Sequence, residues 1–78
     1  MVTIRLFAQA KETAGQPTLT VDANTIDQAL AAATTEFGDS FTAVLETSNI
    51  WLNGSPVDGE PELKDSDELA ILPPVSGG

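Results

Sequence analysis

A small α+β domain, with one main helix laid on one face of a mixed sheet, is what the sequence predicts. Three observations predict it. Apolar and polar residues alternate in segments near both ends of the chain, the mark of half-buried strands. One stretch between them repeats its apolar residues at helical spacing behind a capping signal. Turn residues separate the segments, and no repeat, linker or second domain interrupts them. With 78 residues and 41% hydrophobic content, the chain is near the size at which a single core just suffices.

Each element has its own signal. Val2 to Ala8 alternates cleanly through Leu6 and reads as strand one. Gln9 to Pro17 holds Gly15 and Pro17 and reads as a turn. Thr18 to Asp22 alternates again as strand two. Thr25 and Gln28 match a capping box, with Asn24 as an alternative cap. Ile26, Ala29, Leu30, Ala33 and Phe37 follow at helical spacing, and Gly38 is a natural stop. The spacing predicts a helix from Thr25 to Phe37, whose thin, Ala-rich face lies close on a sheet. A second short helical piece is expected over Ser40 to Leu45. Ser48 to Asn53 is strand three, and Asn53-Gly54 is a hairpin-turn signal. Ser55-Pro56-Val57 is a brief strand, placed at an edge by its proline. An acidic loop runs from Asp58 to Ser66, and Asp67 to Leu72 is the last strand. The first two strands are expected to form a hairpin, with the last strand beside the first in the middle of the sheet. That arrangement is the β-grasp, or ubiquitin-like, fold. Its domain is expected over residues 1–72, with an extended tail over 73–78.

Parity along the strands predicts a free apolar face. Val2, Ile4 and Leu6 share one face, while Thr3, Arg5 and Phe7 share the other. The polar Thr3 and Arg5 mark that second face as solvent, so Phe7 points outward. On the last strand Leu69 and Ile71 share a face opposite Glu68, Ala70 and Leu72, so Leu72 also points outward. If the two strands are neighbours, Phe7 and Leu72 form an exposed apolar patch, and such patches are docking sites. Trp51 has parity opposite Ile50 and Leu52. It either extends the patch or folds over an edge into the core.

The chain closes Leu72-Pro73-Pro74-Val75-Ser76-Gly77-Gly78. Two prolines stop the strand and stiffen the chain beyond it. The last four residues reach roughly 13 Å if fully extended at about 3.3 Å each. Two residues without side chains suit passage through a narrow channel, ending in a carboxylate presented to chemistry inside another protein. An isolated Gly-Gly is also compatible with a frayed terminus; the Pro-Pro stop directly before it favours the functional reading.

Absences restrict the chemistry. The sequence holds no Cys and no His, so it offers no thiolate nucleophile, no imidazole base and no Cys/His metal site. Twelve acidic residues against three basic ones give a net charge of −9. That balance argues against nucleic acid and against anionic membranes. It suits a soluble protein and one that meets basic partner surfaces. The acidic cluster Asp58, Glu60, Glu62, Asp65, Asp67 and Glu68 lacks EF-hand spacing and reads as a solvated loop. Glu12 and Asp67 have no positioning signal as general acid/base groups. No apolar run approaches the ~20 residues of a membrane span, and Met1 to Arg5 has no signal-peptide architecture. A cytoplasmic location is the expectation.

Leu6-Phe7-Ala8-Gln9 with Lys11-Glu12, together with the closing Asp65 to Gly78, resembles the small subunit of molybdopterin synthase. This is the MoaD-type sulfur carrier of the MoaD/ThiS superfamily. The similarity spans the chain, and its specific part is the last fourteen residues. Lys11 stands where arginine is common in that family, Ser66 where glycine is common, and Leu72 where phenylalanine is common.

The resemblance implies that Gly78 is adenylated by an E1-like enzyme using ATP and Mg, and then thiocarboxylated from a sulfur donor. It implies that the tail enters the large synthase subunit and gives its sulfur to a cyclic pterin precursor in molybdenum cofactor biosynthesis. Gly77 would allow passage, Pro73, Pro74, Val75 and Ser76 would guide the tail, and Phe7 and Leu72 would dock both partners. The chain would then be a sulfur-donating accessory subunit in a hetero-oligomer, not a catalyst alone, with no stably bound cofactor. The same activated carboxylate also suits a ubiquitin-like modifier forming isopeptide bonds. Carriage of sulfur for thiamine or cysteine synthesis is a further alternative, and a plain interaction domain without tail chemistry is another.

Overall fold

The computed structural model describes residues 1–74, which form one five-stranded sheet covered on a single face by helices. In chain order the elements are β1 (Val2–Leu6), α1 (Ala8–Ala14), β2 (Thr18–Val21), α2 (Ile26–Phe37), α3 (Asp39–Glu46), β3 (Asn49–Leu52), β4 (Ser55–Pro56) and β5 (Glu68–Leu72). The sheet order is β2-β1-β5-β3-β4. As expected, the last strand lies in the middle beside the first. β1 and β5 run parallel, with Ile4 opposite Leu69 and Leu6 opposite Ile71. β1 and β2 are antiparallel, as are β3 and β5 and β3 and β4. The β-grasp architecture read from the sequence is the observed one.

One expected turn is a helix. Ala8 to Ala14 is rich in strong helix formers, Ala, Gln, Lys and Glu. Its apolar signal is only Ala10 and Ala14, too short to register as a period. No side chain caps its start, and Gly15 closes it in the left-handed conformation, donating its N–H to the Lys11 carbonyl. Seven residues do not make a stable helix by themselves. Here burial of Ala10 and packing against α3 stabilise it. β1 therefore ends at Leu6, and β1 and β2 pair without being a simple hairpin, since α1 lies between them.

The cap of α2 is the one the sequence signals. The Gln28 N–H donates to Thr25 Oγ1 at 3.1 Å, and Gln28 Oε1 accepts from the Asn24 N–H at 2.8 Å. Ala29 and Ala33 are fully buried, so the alanine stripe lets α2 approach the sheet. Phe41 of α3 is also fully buried and stacks obliquely against Phe37, with ring centroids 5.0 Å apart. Val2, Ile4, Leu6, Leu69 and Ile71 complete the core from the sheet. The acidic loop is anchored more firmly than its composition suggests. Leu63 is buried, its N–H donates to the Asn24 carbonyl, and Glu62 bridges Thr25.

Two stability changes follow from this packing. Phe41→Ala removes the largest fully buried side chain and is expected to cost about 3–5 kcal/mol in urea unfolding. Ser66 has φ +74°, a left-handed conformation that penalises a residue with a Cβ. This is the position where the resembled family commonly has glycine. Ser66→Gly is therefore expected to raise unfolding free energy by about 0.5–1 kcal/mol; an unchanged or lower midpoint would show the loop is unstrained.

Candidate functional site

The sheet face away from the helices carries the candidate site. Register places Arg5 opposite Ala70 and Ala70 opposite Trp51, so one row crosses β1, β5 and β3. Asn49 stands opposite Leu72 in the next row. Phe7 follows directly after β1, and at 39% exposure it is one of two large hydrophobic residues left open among the described residues. Its backbone is extended, with φ −127° and ψ 155°, before the chain turns into α1. Ala8 then takes φ +48°, and the abrupt corner leaves the Phe7 ring outside. Leu72 and Trp51 are half-buried but lie outside the core cluster, whereas their neighbours Ile50, Leu52 and Ile71 belong to it or pack on it. Phe7, Leu72 and Trp51 therefore share the open face; parity alone predicts this for Phe7 and Leu72, and the β3-β5 register decides it for Trp51. Trp51 is opposite Pro56 of the edge strand, which accounts for its partial cover.

Charge on this face is ordered around Phe7. The Arg5 guanidinium lies 5.9 Å from the Phe7 ring centroid and donates to Glu68 Oε1 at 3.2 Å. Strand alternation places Arg5 and Phe7 on one face but says nothing of this stacking. A cation two residues before an aromatic residue on one strand is the signal that suggests it.

The strand that leads to the tail is clamped at its start. The Asp67 carboxylate accepts from the Lys64 N–H at 2.8 Å and from Asn53 Nδ2 at 3.0 Å. Asn53 Oδ1 in turn accepts from the Glu68 N–H at 2.9 Å. Hydrogen bonds from the Lys64 backbone and from Asn53 hold the Asp67 carboxyl below its ordinary value. Asp67 thus acts as a structural clasp. Nearby, the Asp65 carboxylate pairs with the Met1 ammonium. That hydrogen bond lowers the Asp65 value and raises the amine's. Among the described residues, no cluster of metal-ligating side chains is present.

At the far end β5 stops at Leu72, where the sequence ends the last strand. Leu69, Ile71 and Pro73 alternate as buried residues, with Ala70 and Leu72 half-exposed between them. Pro73, just beyond the strand, continues the core-facing parity and is buried. Pro74 is exposed. Val75, Ser76, Gly77 and Gly78 lie outside the described residues.

These features define a class: a small ubiquitin-like protein of the sulfur-carrier superfamily that includes the ThiS and MoaD types. The chain belongs to the ThiS family, whose model matches residues 4–78. It is similar in structure to the small archaeal modifier protein SAMP1 from Haloferax volcanii, with 31% identity, TM-score 0.86 and coverage of 99% of this chain and 98% of that one. SAMP1 from Methanosarcina acetivorans is 34% identical, with TM-score 0.84 and coverage of 99% and 95%. A structure of the complex of subunits 1 and 2 of molybdopterin-converting factor from Helicobacter pylori 26695 matches at 31% identity. Its TM-score is 0.74, with coverage of 99% and 97%. No curated protein matches the chain. No helix among the described residues is long and apolar enough to cross a membrane.

The Asp67 clasp has a pH signature. Because its folded value is lowered, the unfolded chain takes up the proton first as pH falls. Its contribution is therefore complete above about pH 4 and fades below that value. Asp67→Ala is expected to melt below the parent at about pH 6, with the gap narrowing towards pH 2. A gap that stays constant in thermal melts would show that the carboxylate charge contributes nothing.

Proposed function

We propose that this chain is the sulfur-carrying subunit of a molybdopterin synthase, with Gly78 as the group that is charged and discharged. The observation that carries the reading is that β5, at the centre of the sheet, runs directly from the open apolar face into the tail. A partner seated on Phe7, Leu72 and Trp51 thereby receives Pro73 and Pro74 in a set direction. The family match extends through residue 78, which supports the terminal glycine as part of the shared pattern.

The chemistry answers a simple difficulty. A carboxylate is a poor electrophile. An E1-like enzyme, using ATP and Mg, lets a Gly78 carboxylate oxygen attack the α-phosphorus and displace pyrophosphate. Sulfide from a donor then attacks the acyl carbon, AMP leaves, and a thiocarboxylate remains. Inside the large synthase subunit the thiocarboxylate gives its sulfur to a cyclic pterin precursor. Holding the tail in place there turns an encounter into a near-unimolecular step, worth several kcal/mol of barrier. Gly77 keeps the approach narrow, and Pro73, Pro74, Val75 and Ser76 steer it. One face serves both enzymes, so they bind in turn, and the working assembly is a hetero-oligomer in the cytoplasm.

A second reading has its own support. The two SAMP1 structures, named as modifiers, match over nearly the whole chain. A lysine amine attacking the same activated glycine would form an isopeptide bond and release AMP. Thiamine and cysteine pathways would use the same thiocarboxylate.

The test is intact mass after incubation with the E1-like enzyme, ATP and sulfide. One oxygen exchanged for sulfur at Gly78, then consumed by the large subunit with precursor, is the expected result. Gly77→Val and deletion of Gly78 are expected to abolish transfer with unchanged circular dichroism, and normal transfer by either would sink the proposal. Lysine-linked higher-mass species in cells, with no pterin-dependent loss of sulfur, would favour the modifier reading.

A further inference from the structure

We infer that the cleft between Arg5 and Lys11, beside Phe7, binds a carboxylate presented by the protein partner that docks on the open face. The inference rests on the docking reading above and adds the charge of the partner at one place. The chain has only three Lys and Arg residues against twelve Asp and Glu. Two of the three meet here. A cavity of about 280 Å³ is lined by Arg5, Phe7, Lys11 and Pro17 among others, with no carboxylate among the described residues that line it. On a molecule of net charge −9, two cations are thus gathered at one place, with Arg5 also paired to Glu68.

The fold brings these cations together. Arg5 reaches the ring from β1, where Glu68 and the Phe7 face hold its guanidinium. One guanidinium nitrogen contacts Glu68, and the group's other N–H donors are available to a second acceptor. Lys11 comes from α1, four residues after Phe7, and its N–H donates to the Phe7 carbonyl at 3.3 Å. Arg5 from the strand, Phe7 at the corner and Lys11 from the helix line the same cleft. The corner at Ala8, which turns Phe7 outward, also brings Lys11 to it.

A polypeptide carboxylate fits this cleft better than a free small anion. The two cations are exposed, and an exposed ion pair contributes little by itself. The gain comes when Phe7 is covered at the same time, because the same contact then excludes water from ring and charge together. A partner segment with an Asp or Glu beside an apolar residue satisfies both. The rest of the small protein's acidic surface calls for cations on the same partner. The contact therefore sets orientation as well as attraction, since a docking turned end for end would bring like charges together.

The test compares Lys11→Glu with Lys64→Glu, which changes net charge equally in the loop before β5, and with Lys11→Arg. Association with the chain's own E1-like enzyme and large synthase subunit is measured at low and high salt, beside Gly78 loading. Lys11→Glu is expected to slow association about tenfold at low salt, with the difference shrinking at high salt. Lys64→Glu and Lys11→Arg are expected to stay close to the parent. A parent that loads normally while Lys11→Glu associates as fast as Lys64→Glu would overturn the cleft alone. Failure of the parent to bind or be loaded would overturn the carrier reading, and this inference with it. Self-association of the parent that Lys11→Glu abolishes would assign the carboxylate to a second copy and overturn the partner named here.

Discussion

The structure depends on the pairing of β5 on both of its edges. Without it, β2-β1 and β3-β4 would be two separate two-stranded ribbons, and such ribbons are marginal in water. β5 joins them, and it contributes two fully buried side chains, Leu69 and Ile71, to the core. Its parallel neighbour is at the opposite end of the chain, with Thr3 opposite Glu68. The central contact is therefore also the least local one. Loop-closure entropy grows only slowly with length, so the arrangement is tolerable for stability while slowing its formation. The bonds among Asn53, Asp67 and Glu68 hold β5 in register against the β3-β4 turn.

A central strand has two faces, and here one is buried and the other half-exposed. Residues 69, 71 and 73 face the helices and are buried, while Ala70 and Leu72 face away. The apolar surface beside the tail is thus the reverse side of the core, built without any added element. Whatever seats on that surface is in rigid contact with the strand that carries the tail. In the proposed carrier role this direct mechanical link matters more than the size of the patch, because small errors in placing a reacting group cost large factors in rate. The charge pattern divides in the same way, with the acidic residues spread over the molecule and two cations gathered at the Phe7 corner.

Much of this was legible in the sequence, for identifiable reasons. The helix α2 announces itself because a cap, a period and a glycine stop agree. β1 and β5 alternate, so their faces, and with them the outward positions of Phe7 and Leu72, follow from parity alone. The turn at Asn53-Gly54 needs positive φ at both residues, and both have it. What could not be read was whatever depends on a distant neighbour. Gln9 to Ala14 lacks an amphipathic period, and it is helical because Ala10 finds a place in a core made by other segments. A proline after a strand reads as a stop. Pro73 does end the ladder, yet its ring also keeps the strand's parity and is buried.

The sequence by itself determined which residues form strands and the main helix, which face of each strand is apolar, and which reactive groups the chain lacks. Those properties are local or compositional, and backbone sterics and side-chain period impose them wherever the segment lies. Only the tertiary structure decided that Arg5, Phe7 and Lys11 line one cleft, that Trp51 shares the open face, and that Asp67 clasps the start of β5. Each of those requires segments far apart in the chain, or a sharp corner such as Ala8, to meet at distances of a few ångströms. Such meetings are set by how the whole core closes, and no single segment's pattern encodes them.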